Sequence, residues 1–128
     1  MKKNKLKWSL GALEAEIMDI VWSNSNVSVR EVVEKLRKKK KIAYTTVMTV
    51  MLRLSNKKIL KRKQGQDGAY IYWPSQNRDD FAASVSRRAI NDLIKSFGEV
   101  AVAQFIDVVE TSDLKNLENW RLKLKKIK

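Results

Sequence analysis

Apolar residues recur at helical spacing through the first half of the chain and change to strand spacing near residue 59. In LGALEAEIMDIVW, Leu13, Ile17, Ile20 and Val21 share one face of a helix predicted over about 12–23, with Gly11 at its N-cap and Glu14 at N3. NVSVREVVEKLRKKKK carries a sharper start. Ser28 and Glu31 form a capping box, Val27 and Val32 stand where a hydrophobic staple needs them, and the helix is expected to bury Val32, Val33 and Leu36 before ending in the run Arg37 to Lys41. A third helix, about 44–57, is expected in AYTTVMTVMLRLSNKK, where Val47, Val50, Met51 and Leu54 recur at i, i+3, i+4 and i+7.

The period then falls to two. ILKRKQGQDGAYIYWP reads as a strand at 59–63, a turn at 64–68 and a strand at 69–73 closed by Pro74, which together make a hairpin. Three short helices followed by one hairpin is the order of a winged helix-turn-helix domain, here 10–74, behind a basic N-terminal tail at 1–9. Beyond it, Phe81, Val85, Ala89, Leu93 and Phe97 keep one face of a helix over about 78–97, and Gly98 marks a stop. EVAVAQFIDVV is apolar nearly all round, which a peripheral helix cannot tolerate. The last segment opens behind Thr111, Ser112 and Asp113 and repeats apolar residues at Leu117, Trp120, Leu124 and Ile127. The predicted architecture is mainly α with a small β-hairpin, a winged helix followed by a helical dimerisation region over 75–128. Phe97, Val102, Phe105, Ile106, Leu117, Trp120 and Leu124 are the residues expected to hold two copies together; the alternative is that these helices pack back onto the N-terminal domain.

Charge adds direction to this picture. The net charge is +13, and residues 1–74 carry +11 of it, against +2 for 75–128. So uneven an excess favours a polyanionic partner, with nucleic acid ahead of an anionic membrane surface. With no Cys and no His, disulfides, thiolate or imidazole metal sites and nucleophile–histidine catalysis are excluded. The carboxylate pairs Glu14 and Glu16, and Asp79 and Asp80, fall at helix starts and suit helix N-terminal charge better than acid–base work, so no enzyme and no cofactor are expected. No apolar run reaches the 18 or so residues of a membrane span, and MKKNKLKW leads into no signal-peptide core, so a cytoplasmic location is expected without membrane insertion.

The outer face of the third helix calls for a partner. It carries Thr45, Thr49, Leu52, Arg53 and Asn56, flanked by Thr46 and Met48, where a solvated helix more usually shows Glu and Lys. Threonine hydroxyls exchange hydrogen bonds with base edges, threonine and methionine methyls meet thymine methyls, and Arg53 reaches a phosphate or a guanine. Packing against another protein segment is the competing account of Met48 and Leu52, and it leaves the hydroxyls and the basic surroundings unexplained. On the hairpin, Lys61, Arg62 and Lys63 suit phosphate or minor-groove contacts, or the protection of an edge strand. The candidate DNA-binding residues are therefore Thr45, Thr46, Met48, Thr49, Arg53, Arg62 and Lys63.

LGALEAEIMDIVW, VSVREVVEKL, AYTTVMTVMLRLSNKKILKR and AYIYWP, taken in order, resemble the successive blocks of the BlaI/MecI/CopY family of bacterial winged-helix repressors, clearly over residues 8–97. The resemblance implies a homodimer, held by the C-terminal helices, that represses genes beside a palindromic operator with TACA and TGTA half-sites. In the β-lactam-responsive branch a membrane sensor-protease leads to cleavage at an Asn–Phe bond; the matching place is Gln104–Phe105, and Phe105 is expected as a buried dimer residue. The copper-responsive branch uses cysteine pairs that this chain lacks. Many relatives have Gly–Arg before the second wing strand, where Asp67–Gly68 stands here, so Arg62, Lys63 or Gln66 must serve in place of a wing-tip arginine. Two other functions remain open: a non-specific nucleic-acid-binding protein, which the charge explains but the threonine face does not, and a winged-helix protein-interaction module.

Overall fold

The computed structural model describes residues 10–112 and 114–127; within the last helix, the side chains of 114, 115, 117 and 124–127 lie outside that description, as does Asp113. The elements follow in the order α1 (Ala12–Asn24), β1 (Val27–Ser28), α2 (Val29–Arg37), α3 (Tyr44–Asn56), β2 (Leu60–Gln64), β3 (Tyr70–Pro74), α4 (Arg78–Phe97), α5 (Glu99–Glu110) and α6 (Leu114–Ile127). The chain divides into two compact units, Met1–Arg78 and Asp79–Lys128.

The first unit closes a core. Ile17, Met18 and Val21 from α1, Val32, Val33 and Leu36 from α2, and Val47, Val50, Met51 and Leu54 from α3 are all buried, together with Val27, Leu60 and Tyr72 from the strands. Each contributes roughly 1.5–3 kcal/mol by leaving water. Helix starts are chemically explicit. The Gly11 N–H donates to Glu14 Oε1 at 2.9 Å, and at α2 the Ser28 hydroxyl accepts from the Glu31 N–H at 3.1 Å while the Ser28 N–H donates to Glu31 Oε1 at 2.8 Å. Helix α3 ends where Lys58 takes up a left-handed φ of 67°, and the Ile59 N–H closes back on the Leu54 carbonyl at 3.0 Å.

The hairpin is joined by a third strand. Residues Val27–Ser28 pair antiparallel with β3, as Val27 with Tyr72 and Ser28 with Ile71, so the sheet order is β1-β3-β2 rather than two strands alone. Two residues carry no readable period, and only the pairing reveals them as a strand. The β2–β3 register runs from Leu60 opposite Pro74 to Gln64 opposite Tyr70, which keeps Pro74 at the outer end of the ladder. In the connecting turn Gly68 adopts a φ of 89°, a region that side chains strain to reach, and the Ala69 N–H donates to Asp67 Oδ1 at 3.1 Å.

The second unit, from Asp79 onward, buries none of its described residues. No described helix is long and apolar enough to cross a membrane.

Candidate nucleic-acid interface

The two faces of α3 part cleanly. Val47, Val50, Met51 and Leu54 point into the core, while Tyr44, Thr45, Thr46, Met48, Thr49, Leu52, Arg53 and Asn56 remain exposed. Helix α2 braces it from behind, and the Arg37 guanidinium donates to the Ile42 carbonyl at 3.1 Å, fixing the turn that leads into α3. The exposed surface is chemically mixed: three threonine hydroxyls and one guanidinium beside the apolar side chains of Met48 and Leu52, an arrangement able to read base edges and thymine methyls together.

Charges on α1 explain which cations stay available. Glu16 Oε1 takes Lys40 Nζ at 2.6 Å, and Glu14 Oε2 takes Lys57 Nζ at 3.1 Å. Burial pushes the Glu14 carboxyl up, but the Gly11 N–H, the Lys57 ammonium and the charge of Arg53 outweigh it and hold the carboxyl below the usual glutamate value of 4.5. Glu14 thereby ties the start of α1 to the end of α3. Arg53, Lys38, Lys39, Lys41, Lys58, Lys61, Arg62 and Lys63 enter no ion pair among the described residues.

On the wing, alternation separates the basic residues that the sequence runs together. Arg62 shares its row with Val27 and Tyr72, whereas Lys61 and Lys63 stand opposite Trp73 and Ile71 on the other face. The Arg62 guanidinium lies over the Tyr70 ring, 4.0 Å from its centroid. A groove of about 730 Å³ lies between α3 and the wing, and Arg30 of α2, Met48, Thr49, Leu52, Arg62 and Tyr70 are among the residues that line it. Thr49, Met48 and Arg62 are thus brought to one groove, while Thr45, Thr46, Arg53 and Lys63 are exposed outside its lining. Tyr44, Arg30 and Tyr70 also line it and were not singled out from sequence; the period-two pairing of Arg62 with Tyr70 two rows away was the signal for Tyr70.

The residues expected at a dimer interface sit in the second unit. Phe97 is 62% exposed and Phe105 55%, and Val102, Ile106 and Trp120 are exposed as well. The side chains of Leu117 and Leu124 lie outside the described residues.

Three helices packed against an antiparallel sheet, with the third helix and the hairpin flanking one open groove, define a winged-helix protein. The family model described as penicillinase repressor matches residues 10–121. The chain is 35% identical over 102 residues to the transcriptional regulator BlaI of Mycobacterium tuberculosis, covering 78% of this chain and 73% of that one. It is 27% identical over 105 residues to the penicillinase repressor of Staphylococcus aureus, covering 82% and 80% respectively. The solution structure of the DNA binding domain of the repressor BlaI superposes with a TM-score of 0.50 at 25% identity, over 59% of this chain and 90% of that one. The chain belongs to the penicillinase repressor family.

Proposed function

We propose that the protein is a sequence-specific DNA-binding transcriptional repressor that acts as a homodimer on a palindromic operator, from within the cytoplasm. Helix α3 enters the major groove and the β2–β3 hairpin acts as the wing. The observation that carries this reading is the outer face of α3, whose hydroxyls, methyls and guanidinium stay exposed on a helix whose opposite face is sealed in the core. Family membership supports it, as does the basic excess of the half of the chain that contains α3. Winged-helix residues Thr45, Thr46, Met48, Thr49 and Arg53 read and position the duplex, and Arg62 and Lys63 contact it from the wing.

The exposed apolar faces of α4 and α5 support the dimer: Phe97, Val102, Phe105 and Ile106 all remain exposed in the single chain. A two-fold protein then asks for a two-fold operator, since each copy reads one half-site. A membrane sensor-protease is a further partner that the family resemblance suggests. The corresponding bond, Gln104–Phe105, lies within α5, so cleavage there requires local unwinding of that helix.

Selection of bound duplexes from a random pool, at near-physiological salt and with competitor DNA, tests the reading. Enrichment of a two-fold-symmetric motif is the expected result. Retention of DNA without enrichment leaves a non-specific binder held by charge, and the threonine face then serves something else.

A further inference from the structure

The groove between α3 and the wing holds two cations from different elements, Arg30 of α2 and Arg62 of β2, and neither enters an ion pair among the described residues. Arg62 is not a loose surface arginine. Its backbone is fixed in the ladder opposite Tyr72, and its guanidinium lies 4.0 Å from the centroid of the Tyr70 ring. A guanidinium held over a ring by a cation–π contact spends none of its N–H donors on a carboxylate, and its fork of donors matches the paired oxygens of a phosphate. Stacking also restricts the rotamers of the side chain before the ligand arrives, so less freedom is lost on binding.

We propose that this groove seats one sugar–phosphate strand of the duplex, gripped by Arg62 from the wing and Arg30 from α2, with Tyr70 as the positioning residue that presents Arg62. The inference rests on the DNA-reading function proposed above and names the backbone contact that the wing makes. Lys61 and Lys63, although adjacent in sequence, project from the opposite face of the sheet and do not share in this grip. One carboxylate, Asp67, also lines the groove; it accepts from the Ala69 N–H and opposes a phosphate, so Asp67→Asn is expected to tighten binding slightly.

The test uses the full-length protein and two duplexes of equal length, the selected operator and a scrambled sequence, titrated over a series of salt concentrations. Arg62→Gln and Arg30→Gln are each expected to weaken both duplexes alike by about five- to tenfold, and to lower the slope of log affinity against log salt by about one. Arg62→Lys, which keeps the charge but loses the forked guanidinium, is expected to lose most of the affinity while keeping most of the slope. Tyr70→Leu should reproduce much of the Arg62→Gln loss and add nothing further in an Arg62→Gln background, whereas Tyr70→Phe should bind like the parent. Unchanged thermal midpoints check that each variant is folded, and Arg62→Lys carries the test if Tyr70→Leu is not.

Three results overturn the proposal: an unchanged salt slope in Arg62→Gln, a loss confined to the selected duplex, or a Lys63→Gln loss as large as that of Arg62→Gln. A parent protein that binds both duplexes equally instead overturns sequence-specific reading, and the slopes still decide whether the groove holds a phosphate strand.

Discussion

Helices α3 and α5 are nearly equal in length, 13 and 12 residues, and both are rich in apolar side chains, yet one buries four residues and the other none. The difference is periodicity. In α3 the apolar positions that matter fall on one stripe, and α1, α2 and the sheet close over it. In α5 the apolar residues surround the axis, and the unit that contains it leaves Val100, Phe105 and Val108 more than half exposed. Apolar content alone therefore does not say where a helix ends up. A stripe is satisfied within one chain, whereas an all-round apolar helix calls for cover from a larger assembly.

The largest expected effect comes from removing α5 and α6 together. A chain ending at residue 98 should sediment as a monomer and bind the selected operator about a hundredfold or more weakly, because two linked half-site contacts become one. If it stays a dimer, the interface lies elsewhere and the contrast between α3 and α5 has another cause. Next in size is Leu54→Ala, which opens a cavity in the closed core and should cost about 2–5 kcal/mol of stability in denaturant titration. Self-association of the full chain at low denaturant should survive it, since Leu54 belongs to the first unit only.

Smaller is Thr49→Ala, and with it Thr45→Ala. Each should reduce the preference for the selected duplex by about 1–3 kcal/mol per lost base contact, with binding to scrambled DNA and dimerisation nearly unchanged. Equal losses on both duplexes would remove these threonines from base reading.

The smallest effect concerns Glu14. Its carboxyl in the folded protein lies below the ordinary value of 4.5, so its contribution is present above that value and is lost as pH falls through the lowered one. At neutral pH, Glu14→Gln should cost a few tenths to about 1 kcal/mol, and the difference from the parent should vanish in strong acid. A difference that persists at low pH would point to lost packing in place of the Lys57 and Gly11 contacts.

Much of the first unit was legible in the sequence because its signals are local and redundant. Ser28 with Glu31, and the stripe from Val47 to Leu54, specify a helix start and a buried face without reference to anything distant. Strand β1 was not legible, since two residues cannot show a period and Val27–Ser28 already had an account as a staple and a cap. The separation of Arg62 from Lys63 was present in the alternation of β2 but needed the register with β3 to show which face meets the helix. For the second unit the sequence revealed the helices and their apolar surplus; what covers that surplus is not written in the period of α4 or α5, since a partner surface leaves no local pattern.

Ser28 belongs at once to the ladder beside β3 and to the cap of α2, and this shared residue welds the wing to the helices behind α3. The hairpin is therefore anchored to the helical body along β3 as well as at its entry from α3. Where a duplex lies across α3 and the wing as proposed, the distance between them sets a backbone spacing that the duplex must offer or be bent to match. Selectivity would then extend to base pairs that no side chain touches, through the ease with which their steps deform.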